Sequence, residues 1–436
     1  QLAAGAVPVP ADVVDKERWR RNEQYMATVV LPNIEKHRKS DLRVQIVEAD
    51  GRAVYDLPVR IVQKRHAFRF GCGLNFFQNP RGTSVEGYRP GVVAPAELEA
   101  FERLFNFSLI PFSGKWMFLE PEPGVREYAD LDQYVQWCAD RGIGMEYHFL
   151  SGYPPRWLFS RPVAERQKLF LDHARDIVQR YKDRIEYWQV VNERILIDLS
   201  VPVIEEIRKI APEAKLGISD CTRFSTTGWR LMSRREPLAG LTEVKWLKSQ
   251  GVKLDYFGFH GHRPFGAWPD AQMMYESMNA FADEGLRLHI TEFSLPLNQE
   301  ISGGLRRGRF TPELQAEFYA YIYTVCFSHP AVDMINLWQI GPDAWQPESG
   351  LLDGQYQRRP NYHALEKLIR QEWMTRYAGR LPLDGTVSLR GFHGTYDVEV
   401  DLPDGKTARG EISLAAGGAK HLRMKLDRGD RRLRTQ

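Results

Sequence analysis

Residues 187–193 read Tyr187-Trp188-Gln189-Val190-Val191-Asn192-Glu193, a short run dominated by aromatic and β-branched side chains that ends on an amide and an acid. Such a run, bounded by charged segments, predicts a strand buried on both faces. Helical periodicity precedes it over Pro162 to Tyr181 and follows it over Ser200 to Ile210. Seven further runs of the same kind occur: His66 to Gly73, Asn106 to Phe112, Gly144 to Leu150, Lys215 to Asp220, Asp255 to His262, Arg287 to Phe293 and Asp333 to Ile340. Helix candidates such as Ala129 to Arg141 and Pro312 to Ser328 lie between them. Eight alternations over roughly 300 residues predict an α/β protein with a closed (β/α)8 TIM barrel. No G-x-G-x-x-G or G-x-x-x-x-G-K-[ST] follows any run, so a nucleotide-binding sheet has no support.

Outside residues 66–375 the pattern changes to period-2 alternation. Leu42 to Val47 and Val54 to Val62 flank a turn at Ala49 to Arg52, while Thr386 to Phe392, Thr395 to Leu402, Lys406 to Leu414 and His421 to Leu426 follow the barrel. A lone hairpin is marginal in water, so residues 41–65 and 376–436 are expected to share one small accessory β-sandwich. Residues 1–40 are read as a helical lead-in, with a charged amphipathic helix over Pro10 to Ser40, and the arginine-rich tail Asp427 to Gln436 as a solvated, frayed end.

Across all 436 residues, Lys+Arg number 59 against 56 Asp+Glu, a balance that argues against a nucleic-acid surface. No apolar run is long enough to cross a bilayer. Four cysteines, Cys72, Cys138, Cys221 and Cys326, are too sparse for a disulfide framework and are read as buried apolar residues. The chain begins at Gln1, and a secreted or periplasmic location is expected. Oligomeric state is left open.

Glu193 and Glu292 each close a predicted barrel strand, the fourth and the seventh. Strand ends at the C-terminal face of such a barrel form its active site, so the two carboxylates are expected in one cleft. One carboxyl to protonate a leaving oxygen and one, ionised, to attack or to activate water is the requirement of glycoside hydrolysis.

These segments resemble glycoside hydrolase family 10, whose members are mostly endo-β-1,4-xylanases: retaining enzymes on a (β/α)8 barrel. Trp188-Gln-Val-Val-Asn-Glu193 resembles the family's W-D-V-V-N-E, and His289-Ile-Thr-Glu292 its I-T-E-L-D. Lys115-Trp116 followed by Leu119-Glu-Pro-Glu-Pro-Gly124, Gly258-Phe-His-Gly-His262, and Trp338 with Trp345 complete the resemblance in order. It implies Glu193 as acid/base, Glu292 as nucleophile, His262 as support for the nucleophile, and Asn192, Lys115, His148, His260, Trp338 and Trp345 as sugar-binding residues. No cofactor and no metal are expected, because His148 and His262 have no third ligand at suitable spacing.

The departures cluster at sugar-binding positions. Gln189 and Ser294 replace family aspartates, His260 replaces a glutamine, and Pro111 and Phe112 stand where the family carries Glu and Asn. The expected activity is therefore retaining hydrolysis of xylan-type chains or related fragments. The alternatives are the same catalysis on a decorated or different β-glycoside, including exo-action, and a non-catalytic carbohydrate-binding barrel. Tyr153, Trp157 and Trp268 are further candidates for the cleft wall.

Overall fold

The computed structural model describes residues 13–74, 93–110, 112–220, 239–262, 267–301, 303–342, 346, 348–417 and 420–436. Eight parallel strands close into a barrel: Arg69–Cys72, Phe107–Ile110, Gly144–His148, Tyr187–Asn192, Lys215–Asp220, Tyr256–Phe259, Arg287–Phe293 and Val332–Leu337. Each pairs with its sequence neighbour, and the eighth returns to the first through Ile335 opposite Phe70. Every residue of Tyr187–Asn192 is buried, which explains the absence of alternation in that stretch. Helices Ala129–Asp140, Val163–Tyr181, Ser200–Ile210 and Pro312–Ser328 occupy the expected intervals.

The barrel interior contains a polar group among rings. Glu146 of the third strand accepts hydrogen bonds from Tyr256 Oη (3.0 Å) and His289 Nδ1 (2.7 Å). The Tyr256 and His289 rings stack 4.2 Å apart, and a Cβ at Gly217 would lie 2.5 Å from the Tyr256 ring. Only glycine fits the fifth strand at that level. Cys72, Cys138 and Cys326 are buried free thiols, as read from sequence; Cys221 lies outside the described residues.

By compactness the chain divides into two units: Gln1–Met26, Arg69–Cys326 and Ala331–Ala364 form one, and Ala27–Phe68, Phe327–Pro330 and Leu365–Gln436 the other. The lead-in is helical in three successive pieces, an α-helix Lys16–Tyr25, a π-helical turn Met26–Val30 and an α-helix Leu31–Arg38. Strands from both chain ends meet in the second unit. One continuous eight-stranded sheet runs in the order Arg376–Arg380, Pro58–His66, Gly394–Asp401, Thr407–Leu414, Arg432–Thr435, Lys420–Asp427, Lys39–Val47, Thr386–Phe392. Leu42, Val44, Ile61, Val387, Val398, Ile412 and Met424 share one apolar core, so strands distant in the sheet face one another across it.

Two sequence expectations need correction here. The second N-terminal strand begins at Pro58, not Val54, because Asp56 adopts φ +55°, which interrupts an extended chain. The arginine-rich tail is not frayed: Arg432–Thr435 pairs with Lys420–Asp427, and Leu433, opposite Leu426, is buried in the core while its arginine neighbours face outward. One apolar residue between alternating arginines is enough to register a strand when a core is present to receive it.

Candidate active site

The fourth strand ends at Asn192, and Glu193 follows at φ +50°, with Arg194 at +65° and Leu196 at +59°. Left-handed backbone at three non-glycine residues is costly and concentrates where a side chain must be re-aimed. The Glu193 amide is held by a hydrogen bond to Ser219 O (3.0 Å) on the fifth strand. Its side chain remains 42% exposed, whereas that of Glu292, inside the seventh strand, is only 6% exposed. One carboxyl can therefore meet solvent and leaving groups while the other is sequestered.

His260 lies between them. Its Nδ1 is 3.7 Å from Glu193 Oε1 and its Nε2 is 3.3 Å from Glu292 Oε1. His262 Nε2 stands 2.8 Å from Glu292 Oε2, and its Nδ1 2.7 Å from Ser294 Oγ. His148 Nε2 is a further 3.3 Å neighbour of Glu292 Oε1. Thus Glu193, Glu292, Asn192, His148, His260 and His262 are brought together from the third, fourth, sixth and seventh strand ends.

A hydrogen-bonded chain fixes the floor. His148 Nδ1–H donates to Gln189 Oε1 (2.8 Å), Gln189 Nε2 donates to Ser219 Oγ, and Ser219 Oγ donates to Asn192 Oδ1 (2.6 Å). His260 Nε2–H donates to the same Asn192 oxygen (2.6 Å). The sequence marks neither Gln189 nor Ser219 as a site residue: Ser219 has a signal in its place one residue before the end of a barrel strand, whereas Gln189, inside its strand, stands out only as a replaced aspartate.

Lys115 is buried, with Nζ donating to His148 O (2.7 Å) and standing 4.4 Å from the Phe149 ring centroid. Burial brings its ammonium down to about 7, against the pull of Glu292. Burial pushes the Glu292 carboxyl up; His260 and Lys115 oppose this, and the charge of Glu193 adds to it. Burial holds His148 and His260 below the usual histidine range, so both rings are neutral at neutral pH.

Trp338 begins just past the eighth strand, its amide bonded to Phe293 O (2.9 Å), and meets the rings of His148 and His262 edge-on at 5.4 Å each. Phe112 packs against Tyr153 at 6.1 Å. Tyr153 has its phenol raised by burial and by the charges of Glu292 and Glu193, and its ring centroid lies 5.8 Å from Lys115 Nζ. Trp157 donates to Glu120 O (3.2 Å) and packs against Trp116. Trp268 is a core residue between Phe310 and Phe318, contrary to the expectation of a cleft wall, because the strand Ala267–Trp268 pairs with Gly303–Gly304 over it. Trp345 and Pro111 lie outside the described residues.

The model of glycosyl hydrolase family 10 matches residues 91–200 and 203–368. Endo-1,4-beta-xylanase B of Thermotoga neapolitana is 23% identical over 342 residues, covering 73% of this chain and 93% of that protein. The anti-sigma-I factor RsgI6 of Acetivibrio thermocellus is 24% identical over 381 residues, 84% of this chain; the chain spans 45% of its length. Among solved structures, native xylanase 10B from Thermotoga maritima superposes with a TM-score of 0.57 at 21% identity over 70% of this chain and 96% of that one. Xylanase 10B from Thermotoga petrophila RKU-1, in complex with xylobiose, gives 0.56 at 20% identity, over 70% and 95%. With a family match over more than half its length and a (β/α)8 barrel carrying two carboxylates at strand ends, the chain belongs to glycosyl hydrolase family 10.

Proposed function

We propose that the protein is a retaining β-glycoside hydrolase acting on xylan-type chains or decorated fragments of them, with Glu292 as nucleophile and Glu193 as acid/base. The observation that carries this is the unequal pair of carboxyls at the fourth and seventh strand ends, one sequestered and held by His262, the other half-exposed. Glu292 attacks the anomeric carbon and forms a glycosyl ester while Glu193 gives its proton to the departing glycosidic oxygen. Glu193 then takes a proton from water, whose oxygen displaces Glu292 and releases the sugar. His262 directs Glu292 Oε2. Asn192, with Oδ1 committed to Ser219 and His260, meets a sugar hydroxyl as a donor through Nδ2. Trp338 and Tyr153 supply aromatic surface for the apolar faces of pyranose rings, and Lys115 and His148 border the same sugar. The chemistry calls for no cofactor. A polysaccharide substrate puts the enzyme outside the cytoplasm.

A second reading, a sugar-sensing barrel, draws on the relative named as an anti-sigma-I factor. Proton NMR of the first product from an aryl β-xyloside separates the two. Release of the β-anomer supports retention, and no turnover favours sensing. With Glu193→Ala, hydrolysis of a dinitrophenyl glycoside should retain its first step while cleavage of unactivated xylosidic bonds falls by about 10²–10⁴-fold. Equal losses on both substrates would reassign the acid.

A further inference from the structure

Sequence spacing offered no third metal ligand beside His148 and His262, yet the fold assembles one. One ligand atom from each of His260, His262 and Glu292 lies within 4.8 Å of the other two. His260 Nε2 stands 3.3 Å from Glu292 Oε1, and His148 Nε2 is another nitrogen at 3.3 Å from the same oxygen. Ligands bound at about 2.0–2.1 Å around a tetrahedral zinc ion stand roughly 3.3–3.4 Å apart. The His260–Glu292 edge of that polyhedron already has the required length at Oε1, and His262 Nε2 lies 2.8 Å from the other oxygen of the same carboxylate, Oε2.

A second observation points to a cation. Glu292 Oε1 is buried and accepts no hydrogen bond despite its two imidazole neighbours. His148 has committed its Nδ1–H to Gln189, so its Nε2 carries a lone pair beside a lone-pair oxygen. His260 has turned its Nε2–H to Asn192. If the His260 proton moves to Nδ1, Nε2 becomes a ligand, and Glu193 Oε1, 3.7 Å from Nδ1, would have to close by about half an ångström or more to accept that proton in the carboxylate–histidine arrangement that supports metal-bound imidazoles. His262 Nδ1 has Ser294 Oγ in the same outer role.

We propose that His260, His262 and Glu292 form an inhibitory site for a transition-metal dication of the zinc class, with water completing the tetrahedron. Imidazole-rich sets select zinc over magnesium or calcium, which require oxygen ligands. The ion is an inhibitor and not a cofactor, because a carboxylate committed to a metal cannot attack an anomeric carbon. The inhibition rests on Glu292 being the nucleophile; the binding does not.

Chelator-stripped protein titrated with ZnCl2 by calorimetry should bind one ion per chain. His260→Gln and His262→Asn should each weaken binding by about tenfold or more, while His421→Ala, at an exposed position in the second unit, should leave it unchanged. Cobalt(II) on the wild-type protein should give the intense visible bands of a four-coordinate site, a readout that needs no variant to fold. Zinc binding that both histidine variants leave intact, or a six-coordinate cobalt spectrum without one-to-one zinc binding, overturns the proposal. Aryl β-xyloside turnover in the same samples keeps the two readings apart: turnover without zinc binding defeats the metal site alone, and zinc binding without turnover in stripped protein defeats the glycosidase reading alone.

Discussion

His262 Nε2 lies 2.8 Å from Glu292 Oε2 while the opposite ring nitrogen lies 2.7 Å from Ser294 Oγ, so one imidazole spans both sides of the seventh strand end. A bridge between His262 and Ser294 continues the barrel ladder past the strands and sets the ring's position. The sequestered carboxylate is thus oriented by backbone pairing as well as by a side chain.

Removing that support should misplace the nucleophile without unfolding the barrel. His262→Ala is expected to lower kcat/KM on an aryl β-xyloside by about 10²-fold with little change in the thermal midpoint, since small misplacements at a reacting atom cost that much. Steady-state kinetics with a parallel melting curve checks this. Wild-type kinetics in the variant would remove His262 from the site.

Phe112 bears on substrate choice. Its ring packs against Tyr153 and offers no hydrogen-bond partner to a sugar, where family 10 sequences carry a polar residue. A hydroxyl buried there without a partner loses ~1–3 kcal/mol, roughly 5- to 150-fold in affinity. The enzyme should therefore gain little in kcat/KM when a second glycone-side xylose is added to a linear oligosaccharide, and should prefer short or decorated substrates. A steep rise at that step, measured over a xylo-oligosaccharide series, would restore the ordinary endo-xylanase profile.

Acid sensitivity has a source in the second unit. His66 is buried against Phe327 and Phe392, its Nε2–H bonded to Trp373 O (2.7 Å), and burial brings its imidazole from 6.5 down to about 3. The unfolded chain takes up this proton near pH 6.5 and the folded chain only near 3, so stability present above pH 6.5 is lost as pH falls through that window. His66→Leu should reduce the slope of unfolding free energy against pH there by up to about 1.4 kcal/mol per unit. Urea unfolding of both proteins between about pH 4 and pH 7 reads the slopes, and identical slopes would contradict a buried neutral His66.

The barrel was legible because its strands are continuous apolar runs: Lys215–Asp220 and Arg287–Phe293 have the bounds their composition suggests, and Ser200–Ile210 and Pro312–Ser328 follow their helical period. What failed was local and context-dependent. Leu433 sits alone among arginines and becomes a strand residue only because Leu426 and a core await it. Trp268, in a loop by sequence, is buried by pairing with a distant segment. The two acids and Asn192 were visible from strand-end position, but the hydrogen bonds that join Gln189, Ser219 and Asn192 beneath them were not, since they form only when the fourth and fifth strands lie side by side.

The central claim is that a covalent glycosyl ester forms on Glu292. The direct measurement is to incubate the enzyme with an activated 2-deoxy-2-fluoro-β-xyloside, digest it, and locate the added mass by tandem mass spectrometry. Stoichiometric labelling of the peptide containing Glu292, absent in Glu292→Gln, is the predicted result. A label on Glu193 or elsewhere, or no label from an enzyme that hydrolyses the parent xyloside, would contradict it.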